Sequence, residues 1–94
     1  MVINISKIRT MKELYKKVTP ALNAKEEILH VQNFQIIKAD DIWNYLLFNK
    51  WMNNKSKLEL SDIVSDIMNV DGYLVSKYVL ENMSLKDREV YFGN

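Results

Sequence analysis

The chain has 94 residues, 13 basic and 12 acidic side chains, one histidine and an apolar share of nearly half. That length suits one domain with a modest core, and the apolar share excludes a wholly disordered chain. The absence of cysteine excludes a disulfide frame and a thiolate site, and two glycines with one proline are too few breakers for a small sheet protein, so an all-α fold is expected.

Residues 1–10 read as a leader, with residues 1–6 loose, and 11–94 as one helical domain. Ile8, Met11, Tyr15 and Val18 recur at three- and four-residue spacing, the stripe of an amphipathic helix. Thr19-Pro20 reads as a restart, because threonine caps a helix and proline suits its first position. A second helix then runs to about Val31. Ala21, Ala24, Ile28 and Val31 form its apolar line, Leu22 and Leu29 lie beside it, and Asn23, Glu26, Glu27 and His30 face outward. Phe34, Ile36 and Ile37, in a connector from Gln32 to Lys38, are expected to plug the core. A third helix starts near Ala39 with Asp40 and Asp41 in its first turn, where negative charge meets the positive end of the helix dipole. Trp43, Tyr45, Leu46, Leu47, Phe48 and Trp51 cover almost its whole circumference. Such a helix is either the central rod of the domain or presents part of itself to another protein.

Asn53 to Lys57 reads as a polar, basic linker. In a fourth helix from near Leu58, Leu60, Ile63, Val64, Ile67 and Met68 face inward and Asp62, Asp66 and Asn69 outward. Gly72 sits where it stops that helix or weakens it. In Tyr73 to Leu80, Leu74, Tyr78 and Glu81 suit a helix while Val75 and Val79 suit either state; the segment is read as helix. Ser84 and Asp87 resemble a capping box for a last short helix through Tyr91.

Candidate chemistry is sparse. His30 is the sole histidine and reads as a surface residue rather than a metal ligand. Asp62 and Asp66, one turn apart, read as a solvated face rather than a catalytic pair. No nucleophile elbow or phosphate-cradling glycine loop is present, so neither catalysis nor a cofactor is expected. Charge is uneven: residues 1–25 carry six bases and one acid, whereas residues 58–71 carry four acids and no base. Such polarity either steers a partner or joins two helices of one bundle. Arg9, Lys12, Lys16 and Lys17 put a basic stripe on the first helix, and Lys50, Lys55 and Lys57 flank Trp51, Met52 and two asparagines. Together they are candidate contacts for RNA phosphates, with Trp51 either stacking on a base or, the preferred reading, closing the third helix as a core anchor. Trp43, Tyr45, Phe48 and Trp51 are the candidate surface for a protein partner. No stretch has the length and apolarity of a membrane span and no signal-peptide pattern opens the chain, so a cytoplasmic protein is expected.

Leu14-Tyr15, Pro20-Ala21-Leu22, Lys25-Glu26-Glu27, Asp41-Ile42-Trp43-Asn44-Tyr45-Leu46, Lys50-Trp51 and Asp62-Ile63-Val64-Ser65-Asp66-Ile67 occur in this order. The series, over about residues 12–80, resembles the ComN-type post-transcriptional regulators of Bacillus-like bacteria (Firmicutes). The specificity lies in the ordered set, not in any one piece. Members usually carry a glycine and an aromatic after the second helix; Asn33-Phe34 stands there, so a differently shaped loop is expected. The resemblance implies a non-catalytic cytoplasmic regulator of gene expression working through partners, including proteins of the cell pole or division septum. It carries no catalytic residues.

The expectation is therefore one all-α domain of four or five short helices around Trp43, Leu46, Leu47 and Ile67. The function expected first is that of an adaptor binding a protein partner. A direct RNA-binding module and a structural homodimer seamed by the third helix are the alternatives.

Overall fold

The computed structural model describes residues 10–52, 59–82, 89, 90 and 92. Four α-helices make up the fold of these residues: α1 (Met11–Val31), α2 (Ala39–Leu46), α3 (Leu60–Met68) and α4 (Gly72–Glu81). A π-helical turn, Leu47–Trp51, continues α2 directly. The all-α expectation holds. The loose leader 1–6, the linker 53–57 and the proposed Ser84/Asp87 cap lie outside the described residues. Glu89 and Val90 are not helical, so no last helix runs through them to Tyr91.

The restart at Thr19-Pro20 does not occur, since α1 passes through Pro20 without a break. Proline removes one helical N–H, the one that would reach the Lys16 carbonyl, but Pro20 and Lys16 both lie on the exposed face, where water replaces that bond. The Thr19 hydroxyl, read as a cap, instead donates to the Tyr15 carbonyl at 2.7 Å. The true cap is Thr10, whose Oγ1 accepts from the Glu13 N–H at 3.1 Å. With one uninterrupted phase the buried stripe becomes Leu14, Val18, Leu22, Lys25 and Leu29. The line Ala21–Ala24–Ile28–Val31 is thereby displaced: Ala24 and Ile28 are exposed, and Val31 is 83% exposed.

The helix ends as its sequence requires. Gln32 is the C-cap, and Asn33 follows with φ 74°, the left-handed region favoured by glycine. The Phe34 N–H donates to the Leu29 carbonyl at 2.8 Å and the Asn33 N–H to the His30 carbonyl at 3.1 Å. These two bonds define a Schellman closure, with Asn33 in the left-handed position that glycine favours. Ile37 is fully buried, with Phe34 and Ile36 packed against the core as expected.

The α2 helix begins where the acids predict. The Lys38 N–H donates to Asp41 Oδ2 at 2.9 Å, and the Ala39 N–H donates to Glu26 Oε2 of α1 at 3.1 Å. It packs against α1, α3 and α4, and Ile42, Trp43 and Leu46 are buried. Trp43, Leu46, Leu47 and Ile67 all belong to the core, as expected. Apolar groups of this size stabilise the fold by about 1.5–3 kcal/mol each, more than a typical hydrogen bond between neutral groups.

The π-turn closes with the Met52 N–H on the Leu47 carbonyl at 2.9 Å. It turns Leu47 and Trp51 inward and leaves Phe48, Asn49 and Lys50 exposed. Asn69, not Gly72, caps the end of α3. Gly72 instead opens α4 and is buried, with Phe34 and Leu29 atoms 2.7–2.8 Å from where a Cβ would stand. Its missing side chain is what lets α4 meet the end of α1. The helix expected over 73–80 forms, capped by Asp71 (Oδ1 accepting from the Tyr73 N–H at 2.8 Å), and Val75 and Val79 carry its buried line.

Candidate functional site

Trp43 and Trp51 lie within the core, at 0% and 6% exposure. Their rings meet edge to face at 5.4 Å. Tyr45 is half-buried, and Phe48 is 43% exposed. Of the four aromatics proposed as a partner surface, Phe48 and part of Tyr45 therefore reach solvent. Trp51 Nε1 donates to Asp66 Oδ2 at 2.9 Å, and Lys50 Nζ holds the other oxygen, Oδ1, at 2.7 Å. Asp66 thus faces the π-turn rather than open water, which corrects its outward assignment. Asp62 caps α3 instead of pairing with Asp66: the Glu59 N–H donates to its Oδ2 at 3.0 Å.

The proposed RNA contacts that fall among the described residues lie on α1 and on the π-turn. Lys12, Lys16 and Lys17 are exposed on α1, Lys50 is tied to Asp66, and Arg9, Lys55 and Lys57 lie outside the described residues. Trp51 would have to leave the core to stack on a base. His30, expected to face outward, is half-buried, and its Nε2 donates to the Ile37 carbonyl at 2.7 Å, locking the connector. Lys25 is nearly buried and caps the end of α3, its Nζ donating to the Met68 carbonyl at 2.9 Å. A cation there also meets the negative end of the helix dipole. Among the described residues, no group of three His, Asp or Glu side chains comes together as a metal site.

A concave feature lies between the π-turn and α4. Two adjoining depressions, of about 340 and 230 Å³, share Tyr45, Asn49 and Leu74. Lys50, Asp66 and Asp71 line the larger one, and Lys77, Tyr78 and Glu81 the smaller. Tyr45 and Tyr78 meet edge to face at 5.9 Å. Asn49 Nδ2 donates to the Tyr45 carbonyl at 2.9 Å, bracing the turn beside Phe48. Exposed apolar groups continue on α4 at Tyr73, Leu74 and Leu80, and beyond the turn at Met52. The α4 wall was missed in the sequence reading. Its signal was present in Leu74 and Tyr78 at helical spacing, but nothing in the spacing tells which helix they face.

Outside this groove, on α1, the phenol of Tyr15 is shifted. Partial burial, then the hydrogen bond its hydroxyl donates to Asp40 and the negative charge of that carboxylate, push the phenol up to about 12.

No helix among the described residues is long and apolar enough to cross a membrane. No curated protein and no solved structure is significantly similar to the chain. A family model described as "Post-transcriptional regulator" matches residues 11–81, all four helices and most of the chain. The chain belongs to the post-transcriptional regulator family.

Proposed function

We propose that the protein is a non-catalytic, ComN-type regulator that acts as an adaptor, holding a protein partner along the groove between the π-turn and α4. The observation that carries this reading is the apolar surface left on the π-turn and α4, where Phe48 is 43% exposed and Tyr45, Leu74 and Tyr78 wall a groove. Aromatics exposed beside a concavity with a polar rim are the usual anchors of protein contacts. Lys50, Lys77, Asp71 and Glu81 supply that rim. The resemblance adds a partner class, proteins of the cell pole or septum, with the regulator recruited there from the cytoplasm.

The experiment is a Phe48→Glu substitution. Its folding is checked by circular dichroism, and capture is measured with the full-length protein as bait. The expected result is a cooperative, helical variant that has lost the partner. Retained capture at wild-type strength rules the surface out. A direct RNA contact through Lys12, Lys16 and Lys17 is the competing outcome. It predicts a mobility shift strongest at low salt and unaffected by Phe48→Glu.

A further inference from the structure

The described tail residues Glu89, Val90 and Phe92 lie outside the segment matched by the family, yet they are bound to it. Asn44 of α2 is 1% exposed, and its Nδ2 donates to the main-chain carbonyl of Glu89 at 2.9 Å. Three residues on, the Phe92 ring meets Tyr15 of α1 edge to face at 5.6 Å. Tyr15 is in turn held against Trp43 at 5.3 Å and bonded to Asp40. Val90 packs against the core between these two contacts.

We propose that the α1–α2 face bearing Tyr15 and Asn44 is a peptide-binding site, occupied in cis by the chain's own tail. This surface is separate from the groove between the π-turn and α4. Three features support the proposal. The tail residues are neither helix nor strand, so they add no element to the bundle. Their polar bond uses a carbonyl that any residue could supply, while the selective contact comes from the Phe92 ring. The receiving groups are preset: Tyr15 is fixed by Asp40 and Trp43, and Asn44 sits on a packed helix. The class of ligand is an extended segment that offers a main-chain carbonyl to Asn44, an apolar residue next, and an aromatic ring three places after the carbonyl. A tethered tail competes at an effective concentration on the order of millimolar, so a free peptide succeeds only when the tail is weakened.

The test uses full-length wild type and full-length Phe92→Ala. The probe is a fluorescently labelled synthetic peptide of residues 83–94, read by anisotropy. The expected result is that Phe92→Ala keeps its helicity and cooperative melting and binds the peptide at least about ten-fold tighter than wild type. A peptide itself carrying Phe92→Ala should not bind. A folded Phe92→Ala protein that ignores the peptide, or binds it no better than wild type, would overturn the proposal. Loss of the helical fold in Phe92→Ala would overturn it too, because the tail would then be part of the core rather than a ligand.

Discussion

Tyr15 joins three parts of the molecule through one side chain, bonding Asp40 and meeting the rings of Trp43 and Phe92. Its phenol is harder to ionise in the folded protein than the ordinary value of 10, at about 12. Between those two values the unfolded chain has lost the proton that the folded one keeps. Stability is therefore intact below pH 10 and falls as pH rises towards 12. Tyr15→Phe cannot ionise, so its melting temperature should decline less steeply than that of wild type above pH 10; parallel declines would refute the assignment. Lys25 makes a second single-residue prediction. Lys25→Met keeps most of the buried stem but strips the Met68 carbonyl of its partner at the end of α3. A loss of about 1–2 kcal/mol in urea unfolding is expected, seen as a fall in melting temperature of about 4–16 °C. Lys25 shows how composition misleads at this scale. Counted with the basic N-terminal cluster, it reads as surface charge, yet it spends that charge inside the bundle.

Among the elements, the helices were readable wherever one residue type admits one conformation. Asp40 and Asp41 mark the start of α2, and the apolar run after them marks the rod. The join between α1 and its supposed successor was misread because Thr-Pro has two meanings: a start, or a solvent-side interruption the helix tolerates. Which holds depends on whether Lys16 faces water, a tertiary fact. The π-turn was not legible either, since Leu47, Phe48 and Trp51 read equally as an α-helix apolar all round. Trp51 reads as a core anchor and is one, but only the packing sorts Phe48 outward. Gly72 is the third case, read as a stop when it is a point of close approach. Helix propensity alone gives Gly72→Ala a gain of up to about 1 kcal/mol. With the Phe34 and Leu29 side chains under 3 Å from the new methyl, a net loss of about 1–3 kcal/mol is expected instead. Thermal denaturation decides the sign.

At the scale of the whole molecule, the residues that carry the family likeness mostly build the frame. Lys25 caps α3, Glu26 holds the start of α2, Asp41 and Asp62 cap their own helices, and Asp66 clamps Lys50 and Trp51. An ordered set of scattered motifs is what such a frame leaves in a sequence, because the contacts of Lys25, Glu26 and Asp66 join residues far apart in the chain. The exposed side chains are then left for recognition, a role proposed for Phe48 and for the groove between the π-turn and α4 rather than for the basic stripe of α1. The most direct test compares wild type, Phe48→Glu and Lys12→Glu/Lys16→Glu as baits in cell extract, each with and without ribonuclease. The expected result is a protein partner whose capture survives ribonuclease and the lysine substitutions but is lost with Phe48→Glu. Capture that disappears with ribonuclease and in Lys12→Glu/Lys16→Glu, and persists in Phe48→Glu, would contradict it.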